Sequence, residues 1–374
     1  MPPAQRPHMT LIVGSGRDLV RVAPLYRELR RRGNAGLALV LTGQERDADL
    51  MSGYFRGLTL PQPDGLLEPG VGTRSEQAAR TFAAVETFLR HGPTDLVVLQ
   101  GGSDLMLACA VICRQQGIAL AQLEAGLRSP GRSENLIGEV VDHLCDYWFA
   151  PFPQAAEALA GEGLAPERIL QPGNLMLDTL HACREAAAAR TWETLDLREE
   201  FGAVLLSSPR MLDNPMNLRK IAEAIAALSD DIPIAFPLSP EARRRLGMWR
   251  LDEELKPSAD LHLPDARGFV DTFALIGHAL FVITDAPDLQ DQASFVGVPC
   301  LTVAEATDRP VTVEQGTNLV IGPDTAAIVR HCEAILEGRR KQGALPDDDG
   351  QVAGRIADSL EQFLASARGQ REIS

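Results

Sequence analysis

Two carboxylates, Glu124 and Glu134, stand in "QLEAGLRSPGRSEN" (122–135), whose Gly126, Pro130, Gly131 and Ser133 favour turns. If the loop folds back, the two acids form an acid/base pair for proton transfer. The competing reading is two solvated carboxylates paired by Arg128 and Arg132. In "GSGRD" (14–18), Gly14 and Gly16 give a strand-to-helix turn, and Arg17 and Arg21 offer cations to an anion. Leu19 stands where a dinucleotide fingerprint has its third glycine, so a phosphate-cradling loop and a plain tight turn both fit. "SSPRM" places Arg210 just after an apolar run, where a guanidinium can meet a phosphate. "TDAPDLQDQA" brings Asp285, Asp288 and Asp291 to a helix start. Acids there suit the helix dipole, repel a diphosphate, and can hold a ribose diol or cap the helix. No Ser/His/Asp triad and no Cys/His set with zinc spacing emerges.

Short apolar runs alternating with helical stretches must position these groups. "MTLIVGSG", "AGLALVLTG", "TDLVVLQGG" and "IALAQLEAG" read as buried parallel strands, with helices between them in βαβ units. The "SEQAARTFAAVETFLRHG" helix takes Ser75 as N-cap, and Gly33 ends the first helix. The pattern repeats after "QPGN" with "AVLLSSP", "IPIAFPL", "FVITD" and "GVPCLTV", and "LPDDDG" precedes a last helix. The expected fold is α/β with two Rossmann-like, doubly wound domains facing a cleft. Domain one spans 1–174, a second such domain spans 175–350, and 351–374 forms a last helix. Ligands of such folds bind beyond the carboxyl ends of the strands, which is where the candidate residues lie.

The 374 residues and 45% apolar content suit two well-filled cores, and the net charge of −15 argues against nucleic-acid or anionic-membrane partners. The six cysteines fall in apolar or helical runs and read as reduced core thiols of a cytoplasmic protein. "MPPAQRPHM" lacks the apolar core of a secretory signal, and no run is long enough to span a membrane.

Taken together and in order, several segments resemble the UDP-N-acetylglucosamine 2-epimerase family from about Leu11 to Leu360. "LEAGLRS" is similar to its V-E-A-G-L-R block, "SENLIGEVVDHLCD" to P-E-E-x-N-R-x-x-x-D-H-L-x-D, and "PGNLMLDTL" to the G-N-x-x-x-D junction. "GSGRDLVRVAPL", "TDAPDLQDQASFVGVP" and "DDDGQVAGRI" match further blocks. The resemblance implies the GT-B arrangement with its last helix returning to the first domain, a UDP-sugar ligand, and a homodimer. It implies elimination of UDP across C1–C2, then re-addition with inverted C2 or addition of water, without a redox cofactor or obligatory metal. Glu124 and Glu134 fall on the family's acids, Arg128 on the Arg of E-A-G-L-R, Arg21 on its Lys, Asp285 and Gln290 on the Asp and Gln of T-D-S-G-G-x-Q, and Gln292 on its ribose-binding Glu. The resemblance implies that Arg128, with Gly14, Arg17, Arg21, Arg210, Asp285, Gln290 and Gln292, meets the nucleotide sugar.

Other family positions differ. A catalytic Asp falls on Gly102, a catalytic His on Pro209, its neighbouring Glu on Leu212, and Ser-Gly-Gly on Ala286-Pro287-Asp288. Pro287 offers no N–H, and Asp288 sets negative charge where a diphosphate would sit. Each such loss typically costs roughly 10²–10⁴-fold in rate. The expectation is a family member with impaired or rewired catalysis. The alternative is a non-catalytic relative that binds a nucleotide sugar or pairs with an active paralogue, with a GT-B glycosyltransferase behind both.

Overall fold

A computed structural model describes residues 6–43, 48–128, 134–190, 200–251, 253, 255, 260–266, 268–346 and 349–371. The chain forms two compact units, Met1–Thr179 with Asp349–Ser374, and Leu180–Asp348.

Unit 1 runs β1 (His8–Val13), α1 (Gly16–Arg32), β2 (Gly36–Leu41), α2 (Ala48–Gly57), β3 (Gly65–Leu66), α3 (Arg74–His91) and β4 (Leu96–Gln100). It continues with α4 (Asp104–Gln115), β5 (Ala119–Leu123), α5 (Glu134–Leu144), β6 (Tyr147–Phe149), α6 (Pro153–Gly161), β7 (Ile169–Leu170) and the start of α7 (Leu175–Ala188). Unit 2 holds β8 (Gly202–Leu205), α8 (Pro209–Leu212), α9 (Pro215–Leu228), β9 (Ile234–Ala235), α10 (Pro240–Met248), β10 (Leu261–His262) and α11 (Phe269–His278). Then come β11 (Phe281–Thr284), α12 (Pro287–Val296), β12 (Cys300–Thr302), α13 (Pro310–Glu314), β13 (Asn318–Val320) and α14 (Thr325–Leu336); α15 (Val352–Arg371) returns to unit 1.

Both sheets are parallel, ordered β3-β2-β1-β4-β5-β6-β7 and β10-β9-β8-β11-β12-β13. The α/β fold with two Rossmann-like domains expected from the apolar runs is the fold observed. Strand order reverses between β1 and β4 in unit 1 and between β8 and β11 in unit 2. These switch points leave crevices at the strand carboxyl ends. The central strands β1, β4 and β11 are almost wholly buried, as continuous apolar runs require.

Local chemistry sets the helix ends. Ser15 caps α1 in a capping box with Asp18, and Gly33 closes it in the left-handed conformation. α3 begins one residue before Ser75: Thr73, not Ser75, is its N-cap, because Thr73 and Glu76 have the capping-box spacing. Asp178 of α7 accepts the backbone N–H groups of Val352 and Ala353 (3.2 and 2.7 Å), satisfying the first turn of α15. Arg32 of α1 pairs with Asp358 and Glu361 of that helix, and the Phe363 ring stacks on Tyr147. All six cysteines are buried free thiols. Among the described residues no helix is long and apolar enough to cross a membrane.

Candidate functional site

In unit 1 the ends of β1, β4 and β5 carry a compact polar cluster. Glu124 follows β5 with φ of 51°, a left-handed conformation that costs a non-glycine residue roughly 1–3 kcal/mol and persists only where surrounding contacts enforce it. Those contacts are visible. Glu124 Oε2 forms an ion pair with Arg21, its Nε at 2.8 Å, and accepts from Gln100 Nε2, at the end of β4, at 3.0 Å. Arg21 and Glu124 side chains are only 8% and 9% exposed, so both charges depend on one another. Gln122 donates to the Gly101 carbonyl at 2.9 Å. Among the described residues the Oε1 atoms of Gln100 and Gln122 are buried without a partner.

Asp18 joins this cluster from the first turn of α1. Its Oδ2 accepts from the Ser15 N–H (2.9 Å) and Ser15 Oγ (2.7 Å). Burial pushes the Asp18 carboxyl above its ordinary range, the Arg21 guanidinium opposes that, and the nearby Glu124 adds to it. One buried guanidinium thus serves two acids, a setting in which a proton can reside on the pair.

The missing carboxylate at position 102 has a steric counterpart. A Cβ on Gly102 would lie 3.2 Å from the Gly138 Cα, so the α5 backbone occupies the space beside it. Gly126, with φ of 77°, turns the chain away after Ala125, and a Cβ there would lie 2.2 Å from the Ala155 carbonyl oxygen.

The other unit-1 candidates divide. Gly14 ends the β1 segment, its carbonyl accepting from Thr42 Oγ1 at 3.0 Å, and Arg17 is half-buried on the same α1 turn as Asp18. Against the expectation that Arg128 meets a ligand, its guanidinium binds Asp142 at 2.7 Å and clasps Glu162 at 2.9 and 2.8 Å. These acids come from α5 and the end of α6, and the Gly126 turn directs the chain toward them. Glu134 is the first residue of α5; its side chain lies outside the described residues, as does the 129–133 loop.

In unit 2, Asp285 after β11 accepts from the Ser207 and Ser208 N–H groups, both at 2.9 Å, and from Ser208 Oγ. It therefore ties the β8 loop to the start of α12, and Arg210 stands exposed on α8 just beyond that loop. Gln290, expected at a ligand, is instead enclosed: its Oε1 accepts from Thr307 Oγ1 (2.6 Å) and Asn318 Nδ2 (3.1 Å). Gln292 is 2% exposed, and its Oε1 has no partner among the described residues. Asp288 lies buried in the first turn of α12, behind Pro287.

Asp18, Gln100 and Gln122 are site residues that the sequence reading passes over. Their signals are legible afterwards: Asp18 stands three residues past a capping Ser, and each Gln is a polar residue at or near the end of an otherwise apolar strand.

The family model for UDP-N-acetylglucosamine 2-epimerase matches residues 27–361. A UDP-N-acetylglucosamine 2-epimerase of Methanocaldococcus jannaschii is 28% identical over 361 residues, covering 94% of this chain and 98% of that one. The UDP-2,3-diacetamido-2,3-dideoxy-D-glucuronate 2-epimerase of Pseudomonas aeruginosa is 25% identical over 363 residues, covering 95% and 98%. The crystal structure of the M. jannaschii UDP-GlcNAc 2-epimerase in complex with UDP-GlcNAc and UDP superposes with a TM-score of 0.88 at 27% identity, covering 95% of this chain and 99% of that one.

Proposed function

We propose, from the premise that this chain belongs to the UDP-N-acetylglucosamine 2-epimerase family, that it binds a UDP-sugar and performs a rewired form of C1–C2 elimination on it. The observation that carries this reading is the buried, backbone-strained Glu124 held between Arg21 and Gln100 beside Asp18. A carboxylate so placed can take the C2 proton as the C1–O bond breaks and UDP leaves, and can return a proton when UDP re-adds to the C1=C2 bond. The Arg21 charge faces the carboxylate that takes the proton, and Asp18 shares the same field. In unit 1 a half-buried Arg17 offers a cation to the departing diphosphate. Gln292 offers its buried carbonyl oxygen to a ribose hydroxyl.

The P. aeruginosa relative bears the name of a diacetamido-glucuronate epimerase, so the substrate panel should include C3-acetamido and uronic UDP-sugars beside UDP-GlcNAc. The test is NMR in D2O, following deuterium entry at C2 and formation of the C2 epimer. The expected result is slow exchange on at least one sugar, reduced roughly 10²–10⁴-fold in Glu124→Gln. Exchange that is unchanged in Glu124→Gln would refute the assignment of the base.

A second reading has its own support in Gly102, Pro209 and the buried Asp288. On it the protein binds the nucleotide sugar without turnover and serves an active paralogue. No exchange on any sugar, together with a rise in melting temperature on adding UDP, would select this reading.

A further inference from the structure

Unit 1 carries a cavity of about 800 Å³ away from the polar cluster of Glu124. It opens between the carboxyl-terminal halves of α1 and α2 and the segment that follows α2. In a parallel βαβ arrangement each helix runs back toward the start of the next strand. Arg27, Arg30 and Arg31 therefore lie just before β2, and the 59–62 segment just before β3, at the edge of the sheet opposite Glu124.

Its lining contains Arg27, Arg30, Arg31 and Arg56 and no acidic residue, in a chain whose net charge is −15. The four are not equivalent. Arg27 donates to the Leu58 carbonyl at 2.6 Å, and Arg31 is clasped by Glu28 at 2.8 and 2.7 Å. Arg30 and Arg56 are exposed, and neither meets an acid among the described residues. Arginines at helix carboxyl ends complement the dipoles of α1 and α2. That role explains their presence but not a concave, acid-free lining. Tyr26 and Phe55, each with little exposure, add aromatic surface to the wall, and Ser52 and Gln62 add neutral hydrogen-bonding groups. The depression is open to solvent, and forked guanidiniums suit the phosphate oxygens of a ligand lying in it.

We propose that this cavity is a second ligand site, for a diphosphate carried by a small organic group, with Arg30 and Arg56 as its principal phosphate contacts. It is independent of the chemistry at Glu124 and can be occupied while that site works.

Calorimetric titration with inorganic pyrophosphate, and separately with ADP, at low ionic strength provides the test. In the wild-type protein both bind, and binding weakens steeply with added salt. In Arg30→Ala/Arg56→Ala, pyrophosphate affinity at this site falls at least about tenfold. Melting temperature and UDP-sugar binding stay as in the wild type, since both side chains are exposed. Arg30→Lys/Arg56→Lys keeps the charge without the fork and binds with intermediate affinity. ADP tighter than pyrophosphate assigns a role to the aromatic wall; equal affinities assign the site to the diphosphate group alone and overturn the organic part of the proposal. No binding of either probe at millimolar concentration, or equal pyrophosphate binding in the wild type and the double alanine variant, overturns the site.

Discussion

Among the described residues, each unit holds an arginine–carboxylate pair with both side chains less than 10% exposed, and the settings differ. Arg21 and Glu124 in unit 1 meet at 2.8 Å, with side chains 8% and 9% exposed, at the carboxyl ends of strands. Arg309 and Asp291 in unit 2 stand 3.5 Å apart, 2% and 0% exposed. Beside the second pair the Arg309 N–H reaches Thr307 Oγ1 and the Arg309 carbonyl accepts from Thr312 Oγ1, with no residue of the pair at positive φ. Around the first, Glu124 sits at positive φ and amide oxygens lie nearby without partners among the described residues. A buried ion pair contributes little net stability, but breaking one is costly. What distinguishes a staple from a site is therefore the state of its surroundings. The positive φ of Glu124 sets the pair in unit 1 apart and fits the proposal that it is kept for a ligand.

The sharpest way to break this comparison is to remove each arginine in turn. Arg309→Met leaves Asp291 in a sealed interior and should lower the stability of unit 2 by about 3–5 kcal/mol. Arg21→Met should cost less, about 1–3 kcal/mol, since Glu124 keeps Gln100 as a donor and relaxation of its backbone returns part of the loss. Denaturant unfolding of both variants, paired with C2 exchange on the UDP-sugar, separates the two roles. Arg21→Met should abolish exchange, whereas Arg309→Met should preserve it in the folded fraction. Equal destabilisation with exchange intact in both would erase the distinction.

Arg128 and Asp142 sharpen the same point at about 3 kcal/mol. Their 2.7 Å contact is as short as that of Arg21 and Glu124, yet burial outweighs the guanidinium and pushes the Asp142 carboxyl up to about 6 from an ordinary 3.8. The folded protein therefore holds this proton more tightly than the unfolded chain. The contribution is full below pH ~3.8 and is lost as pH rises through about 6, a difference of roughly 3 kcal/mol at 1.36 kcal/mol per pKa unit. Asp142→Asn keeps an acceptor for the Gly126 N–H and removes the titration. Urea unfolding at pH 4 and pH 7 should show the wild type losing about 2 kcal/mol more than the variant. Parallel pH profiles would show that Arg128 compensates the burial of Asp142 in full.

Most of the fold was legible because buried parallel strands are continuous apolar runs and their helices carry capping signals. The two-residue error at Thr73 came from choosing between two nearby hydroxyl residues without weighing Glu76. The site was legible by residue type and less so by partner. Arg21 and Glu124 are far apart in sequence and meet only because β1, β4 and β5 are neighbours. Arg128 is close to Glu124 in sequence and yet turned to Asp142 and Glu162, a consequence of the positive φ at Gly126. Gln290 and Gln292 are two residues apart on α12 and so point in different directions. The sequence offers no sign of which one keeps an unmet oxygen.

That last difference yields the smallest effect and the most local test of the unit-2 side of the comparison. Gln290 Oε1 already accepts two protein hydrogen bonds, whereas Gln292 Oε1 has none among the described residues. If Gln292 accepts a ribose hydroxyl, Gln292→Ala should weaken UDP binding by about 1 kcal/mol, close to fivefold in Kd. Removing the side chain also removes a buried unmet acceptor, so the free protein should be no less stable from that cause. Gln290→Ala breaks contacts to Thr307 and Asn318 and should lower stability while leaving the Kd of the folded protein nearly unchanged. Calorimetry with UDP and unfolding of the same two variants read both quantities. A fivefold loss in Gln290→Ala with none in Gln292→Ala would reverse the assignment. It would make the enclosed glutamine the one that shapes the ligand site and leave the open oxygen of Gln292 without a role in binding.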